Sequence, residues 1–138
     1  MCPPDDLDLT RPELYINREL SLLEFNRRVF EQALDERTPL LERLRFLTIC
    51  STNLDEFFEI RVSGLKQQLE LGLALPGAAD GIPPRELLSR VSEKAHQLVA
   101  DQYAALNNVL LPALAQQDIH IPMRDQWNER QALWARRY

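Results

Sequence analysis

The feature that most constrains the fold of this chain is an apolar repeat of about 3.6 residues, which recurs through almost its whole length. Such spacing places apolar side chains along one face of an α-helix, whereas a half-buried strand alternates at every second residue. The 138 residues include only four glycines beside nine prolines, so hairpin turns and glycine-rich phosphate loops are poorly supplied. The sequence therefore predicts one all-α fold, an antiparallel helical bundle of three long helices plus a C-terminal helix.

The helix boundaries follow from breaks in this repeat. Pro and Gly cluster between residues 72 and 84, which predicts a loop, and Gly72 is expected to end the helix before it. The second long helix is expected to be broken or kinked at 51–53, and Pro112 to kink or restart the third. The expected helices are 18–36, 39–51, 53–71, 84–116 and 125–138, the first four forming the bundle.

Helix starts are indicated by capping residues. Ser21 and Glu24 have the spacing of a capping box, with a start at Asn17 as the alternative. Thr38 followed by Pro39 predicts an N-cap and a first helical position. The stripes expected to face the core are Leu22, Phe25, Val29 and Ala33 in the first helix and Leu54, Phe58, Val62, Leu65 and Leu69 in the second.

Charge and cysteine content narrow the class of protein. The net charge of −5 argues against a general binder of nucleic acid or anionic membranes, and no stretch approaches the ~20 apolar residues of a membrane span. Cys2 and Cys50 lie outside any CxxC or metal-ligand spacing. We expect free thiols in a reducing compartment, with a disulfide between them as the alternative.

Residues able to carry catalysis are scarce. His96 and His120 have no carboxylate, thiol or second imidazole at metal-ligand spacing, and no Walker, GxGxxG, GxSxG or HExxH motif occurs. We therefore expect neither a catalytic residue nor a metal site in these residues.

The segment 51–61 is the one stretch whose composition suggests a site. It combines the expected helix break with Asn53, two successive aromatics and Arg61. In one interpretation Asn53 caps a helix and the aromatics are core. In the other, free backbone N–H groups, the Asn53 amide and Arg61 bind a phosphate or ribose. Composition alone favours the structural interpretation.

Three motifs resemble the opening of bacterial polyphosphate kinases of the long, histidine-phosphorylating family. They are YINRELSLLEFNRRV at 15–29, PLLERLRFL at 39–47, and STNLDEFF at 51–58 followed by Arg61-Val62 and Gly64-Leu65-Lys66. The resemblance is dense over 15–70 and looser over 84–138. One departure is Leu22, where the family usually has Trp.

This resemblance implies a cytoplasmic enzyme that reversibly transfers the ATP γ-phosphate to polyphosphate through a phosphohistidine. The family's catalytic histidine, Mg²⁺-associated arginines and most nucleotide contacts lie in C-terminal domains. The helical domain supplies a wall of the ATP pocket, with Asn53 as a nucleotide-binding residue and Arg61 in support. The implied layout is a flexible leader at 1–14, the N-terminal domain at 15–106, and a transition into the next domain at 107–138.

The resemblance also implies partners. They are ATP or ADP, polyphosphate, the remaining domains of the polypeptide and, in a homo-oligomer, further copies; nucleic acid is not among them. The chain alone is expected to be inactive. The alternative function is a non-catalytic helical scaffold for other proteins, which needs no polar, cap-rich break facing a cleft at 51–61.

Overall fold

The computed structural model describes residues 8–72 and 79–137, and within them the secondary structure is helical, with no strand. The all-α fold expected from the sequence is confirmed. The α-helices are α1 (Arg18–Leu34), α2 (Leu40–Glu56), α3 (Ser63–Glu70), α4 (Pro84–Ala105), α5 (Leu111–Ala115) and α6 (Glu129–Ala135). Two π-helical segments, Phe57–Val62 and Leu106–Leu110, join α2 to α3 and α4 to α5.

Three helical rods form the bundle: α1, α2 with α3, and α4 with α5. Asn26 of α1 contacts Cys50 of α2, and Ala33, later in α1, contacts Arg43, earlier in α2. The two helices are therefore antiparallel. Between α1 and α4 the ion pairs join Glu24 to Lys94 and Arg27 to Asp101, so these two helices run in the same direction.

Polar side chains fix both ends of α1. The Oδ1 atom of Asn17 accepts a hydrogen bond from the Leu20 backbone N–H at 3.0 Å, so Asn17 is the N-cap. The alternative start is therefore correct, and the capping box at Ser21 is wrong. Asn17 also donates to Asp80, which ties the loop before α4 to this end. At the other end, the buried Arg43 donates to the Ala33 carbonyl at 2.9 Å.

The expected break at 51–53 is wrong, because α2 continues without interruption through Glu56. Three residues with low helix propensity are accommodated here, since tertiary packing outweighs propensities of a few tenths of a kcal/mol. Pro39 is the N-cap of α2 and not its first helical position, so the helix begins at Leu40, one residue later than expected. Gly72 has φ +60° just after the α3 C-cap, as expected for a C-terminal stop.

The two π segments change which residues face the core. A π turn bonds residue i to i+5 and so holds one residue more than an α turn. Phe57 and Val62 are five apart and both buried, whereas an unbroken α-helix places Arg61 beside Phe57 on the core face. The first π segment thus puts Val62, 3% exposed, in the core and moves Arg61 toward the edge.

The same shift occurs in the third rod, where Ala105 and Leu110 are both buried. Pro112 does not end this rod, which stays helical from the second π segment through Ala115. Leu110 and Leu111 keep helical dihedral angles and the Leu111 N–H bonds to the Leu106 carbonyl, so a π turn lies directly before the proline. The last helix is shorter than expected: a 3₁₀ turn covers Arg124–Gln126, and α6 begins at Glu129 behind the N-cap Asn128.

The buried face of α1 is displaced by one residue from the expected stripe at three of its four positions, and Ala33 is buried as expected. Leu22 and Phe25 are 39% and 51% exposed, and the stripe was wrong for both. Of the two successive aromatics in the second rod, Phe57 is buried in the core, whereas Phe58, which was expected there, is exposed. The buried positions of α1 are Leu23, Asn26, Phe30 and Ala33.

Within the two described stretches, no helix is both long enough and apolar enough to cross a membrane.

Candidate functional site

A cleft of about 290 Å³ opens between α1 and the rod formed by α2 and the first π segment. Its floor is built from buried residues, among them Leu23, Leu54 and Phe57. The cleft contains both residues singled out in the sequence, Asn53 and Arg61. Sequence motifs from two separate helices therefore meet at one surface.

A chain of polar contacts runs from the cleft into the core. The side chain of Asn53 donates from Nδ2 to Oδ1 of Asn26 at 3.1 Å. Asn26 donates from its own Nδ2 to the Cys50 carbonyl at 2.9 Å. Gln102 of α4 donates to the Cys50 thiol at 2.8 Å. Asn26 is only 4% exposed, so these bonds satisfy an amide that otherwise costs ~1–3 kcal/mol to bury.

Asn53 is therefore a mid-helix residue rather than the N-cap expected from the sequence. Its backbone carbonyl accepts the Phe57 N–H, as in the interior of a helix. Since no helix begins here, no free N–H groups are available to hold a phosphate, and that part of the expected site is wrong. The part that remains is the Asn53 side chain, half-buried at the edge of the cleft.

The charged residues of segment 51–61 are divided between two surfaces. Arg61 and Glu56 line the cleft, the former half-buried and the latter exposed. Asp55 lies on the opposite side of α2, in a groove that also contains Tyr103 of α4. Of the three carboxylates in the segment, only Glu56 therefore opposes an anion in the cleft, since neither Asp55 nor Glu59 lines it.

The rim of the cleft is apolar. Leu22, Phe25 and Ile60 line it, and Ile60 is 65% exposed. The guanidinium carbon of Arg28 lies 5.9 Å from the centre of the Phe25 ring, which places a cation over an aromatic face. A cleft with apolar edges, two amides and one guanidinium suits a ligand that combines a flat apolar ring with polar and anionic groups, with the Glu56 carboxylate opposing the anionic part.

Cys50 lies at the bottom of the polar chain and is a free, buried thiol. Burial raises the pKa of this thiol, an effect opposed by the hydrogen bond from Gln102 and the charge of Arg27. A thiol with a raised pKa stays protonated and unreactive. Cys2, and with it the alternative disulfide, lies outside the described residues.

Both histidines lie on the surface, away from the cleft. Nδ1 of His96 is 2.7 Å from the Ser92 carbonyl oxygen, one turn earlier in α4, and His120 is exposed after α5. Across residues 8–72 and 79–137, no group of three His, Cys, Asp or Glu side chains is placed to hold a metal ion.

The sequence interpretation missed several residues of this site: Leu22 and Phe25, which it assigned to the core, together with Asn26, Glu56 and Ile60. One signal was present. Asn26 occupies the position between Leu23 and Phe30 on a helical face, where a polar residue is buried only if partners satisfy it.

Comparison with known proteins places these features in context. The family model of the polyphosphate kinase N-terminal domain matches residues 15–122. A polyphosphate kinase of Pseudomonas putida is 56% identical over 125 residues, which is 91% of this chain and 17% of that protein. A polyphosphate kinase of Pseudomonas syringae pv. tomato is 53% identical over 131 residues, 95% of this chain and 18% of that protein.

A third relative, a polyphosphate kinase of Xylella fastidiosa, is 54% identical over 127 residues, 92% of this chain and 18% of that protein. The chain thus spans less than a fifth of the length of these curated relatives. No solved structure matches it significantly.

Proposed function

The chain belongs to the polyphosphate kinase N-terminal domain family, and from this premise we propose that the cleft between α1 and α2 is one wall of the ATP pocket of a polyphosphate kinase. The observation that carries the proposal is the meeting of Asn53 and Arg61 in one cleft, lined by the two helices whose motifs resemble the family. The amide has hydrogen-bonding groups for the nucleotide, and the guanidinium attracts its phosphates.

In this proposal, the residues that carry out phosphoryl transfer lie in the other domains of the whole enzyme. The γ-phosphoryl group passes from ATP to a histidine nitrogen, ADP leaves, and the group then passes to the end of a polyphosphate chain. Phosphoryl transfer depends on positioning and charge stabilisation, so a separate helical domain can orient the nucleotide without touching the transferred group. Mg²⁺ is bound in the same remaining domains, which also form the homo-oligomer of a cytoplasmic enzyme.

The test uses a chimaera in which this chain replaces the matching N-terminal segment of the Pseudomonas putida enzyme. Asn53→Ala is expected to raise the KM for ATP by about 3- to 10-fold, the effect of one lost hydrogen bond, with little change in kcat. Arg61→Gln is expected to raise the KM more at low than at high salt, because screening weakens its attraction to phosphate. The matched control is Asn108→Ala, at an exposed asparagine of the second π segment.

An unchanged KM for ATP in both cleft variants would refute the pocket wall and favour the scaffold. A second measurement concerns the chain by itself. Incubated with ATP and Mg²⁺, it should form no more polyphosphate than a boiled control, since the phosphorylated histidine is assigned to other domains. Product above that control would refute this assignment.

A further inference from the structure

Asn26 links the cleft to the backbone of α2 through two hydrogen bonds of opposite direction. Its Nδ2 donates to the Cys50 carbonyl at 2.9 Å, and its Oδ1 accepts from Nδ2 of Asn53 at 3.1 Å. Both bonds lie where the Asn26 side chain is almost fully buried. The bond to the Cys50 carbonyl is buried, so water has little access to replace it, whereas the bond to Asn53 is only partly buried at the cleft.

The direction of these bonds is set by the Cys50 carbonyl. A carbonyl oxygen only accepts, so Asn26 must present its nitrogen to it and its oxygen to Asn53. Asn53 must then present its nitrogen to Asn26. Two amides in series are thereby oriented by one backbone group, and the Asn53 Oδ1 atom is directed away from Asn26.

The remaining contacts favour a fixed orientation at the cleft. Asn26 and Asn53 both line it, and the structure records one side-chain hydrogen bond for Asn53, the bond to Asn26. On the far side, Gln102 and Cys50 hold the base of the chain through the thiol. An apolar residue at position 26 would fill the same space without orienting anything.

We propose that Asn26 is a positioning residue, which holds the Asn53 amide so that its Oδ1 atom is the hydrogen-bond acceptor offered to the nucleotide. This rests on the proposed function, in which Asn53 contacts ATP. An acceptor is complementary to a hydrogen-bond donor, and the donors of ATP are the adenine amine and the ribose hydroxyls, whereas its ionised phosphate oxygens only accept. Asn53 therefore binds the nucleoside part of ATP.

The first test compares Asn26→Leu, Asn53→Ala and the double variant in the Pseudomonas putida chimaera. Each single substitution is expected to raise the KM for ATP by about 3- to 10-fold with little change in kcat. The double variant is expected to match Asn53→Ala alone, because a residue that acts only through another has no effect once the other is gone. Arg43→Ala is the control: it removes a buried hydrogen bond to the Ala33 carbonyl, outside the polar chain, destabilises the fold, and leaves the KM within about 2-fold of the parent.

The outcomes separate the two proposals. A raised KM in Asn53→Ala with an unchanged KM in Asn26→Leu overturns the positioning role and leaves the pocket wall standing. Additive effects in the double variant also overturn it. An unchanged KM in Asn53→Ala refutes the pocket wall itself. If Arg43→Ala raises the KM as much as Asn26→Leu, the effect is general destabilisation and the positioning role fails.

The second test needs no change at Asn26, so it still tests the acceptor orientation of Asn53 if Asn26→Leu fails to fold. It compares ATP with purine riboside triphosphate, which lacks the adenine amine, and with 2′-deoxy-ATP and 3′-deoxy-ATP. The parent should lose about 3- to 10-fold in kcat/KM with the analogue that lacks the bonded donor. Asn53→Ala should lose no more than 2-fold with that analogue. If the parent uses all three analogues as well as ATP, the acceptor orientation is refuted.

Discussion

Replacing Asn53 by aspartate is the sharpest test of the polar chain, because it changes one donor into an acceptor and adds a charge while keeping the shape of the side chain. In the structure Nδ2 of Asn53 lies 3.1 Å from Oδ1 of Asn26. After Asn53→Asp two oxygens face each other there. Asn26 has no good alternative orientation, since its own nitrogen is bonded to the Cys50 carbonyl.

The expected loss in the free energy of unfolding comes from the buried Asn26 oxygen, an acceptor that is left without a donor. Such a group costs ~1–3 kcal/mol, and the half-exposed position of Asn53 lets the new carboxylate turn partly toward water. We therefore expect a loss of about 1–2 kcal/mol in the free energy of unfolding at pH 7, or about 3–8 °C in Tm for a domain of this size. A helix cap at Asn53 would predict no loss, because aspartate and asparagine cap about equally well.

The loss should also depend on pH. A protonated carboxyl can donate to Asn26, so the folded state raises the pKa of the introduced carboxyl above its ordinary value. For a raised pKa the extra stability is present below the unfolded pKa and is lost as pH rises through the folded pKa. The variant should therefore approach the parent near pH 4 and fall behind it toward pH 7.

The assay is urea unfolding of the chain followed by far-UV circular dichroism at several pH values. Asn108→Asp makes the same substitution at an exposed asparagine and should change stability by no more than about 0.5 kcal/mol. The hydrogen-bond chain is refuted if Asn53→Asp is as stable as this control at pH 7, or if its deficit does not shrink in acid.

Three further expectations concern the bundle. Arg43→Ala should lower the free energy of unfolding by about 2–3 kcal/mol in urea, because it removes a buried charged donor from the last-turn carbonyl of α1. Gly72→Ala should cost about 1 kcal/mol because φ is +60° there, whereas Gly64→Ala, inside α3 with open space around it, should gain ~0.5–1 kcal/mol. Asp101→Asn should lower Tm at pH 7 and have less effect as pH falls below about 4. The hydrogen bond from Arg27 holds the pKa of Asp101 below its ordinary value, so the stability it provides is present above the unfolded pKa and lost as pH falls through the folded one.

Each of these expectations has a contradicting outcome. Arg45→Ala removes an exposed arginine of the same helix, so an equal loss in both arginine variants would show that burial of Arg43 contributes nothing. If the two glycine substitutions change stability in the same direction, the left-handed backbone at Gly72 is not the cause. The effect of Asp101→Asn should weaken in 1 M salt, and an effect independent of salt and pH would exclude the ion pair with Arg27.

The local signals in the sequence were enough for the helical class and for the ends of elements that depend on backbone geometry. The apolar repeat specified helices because it is a property of consecutive residues. Gly72 ended a helix as expected, since its positive φ is intrinsic to the residue and the turn. The motifs at 15–29 and 51–58 also indicated the family, and the segment 51–61 contained both candidate residues of the cleft.

Which face of each helix is buried was decided only by the tertiary structure. In α1 one face carries the apolar pair Leu22 and Phe25, and the neighbouring face carries Asn26. The face with Asn26 is the buried one, because α2 supplies both hydrogen-bond partners of this side chain. Those partners lie 24 and 27 residues away, so no local pattern reveals them. The sequence placed Val62 in the core correctly but paired it with Phe58; the π segment that buries Phe57 together with Val62 depends on how two helices pack. The residues next to Asn53 in the sequence predicted a helix cap, whereas the structure places Asn53 inside α2 at the edge of the cleft. The role of such an amide depends on which groups complete its hydrogen bonds, and its partner Asn26 lies on another helix.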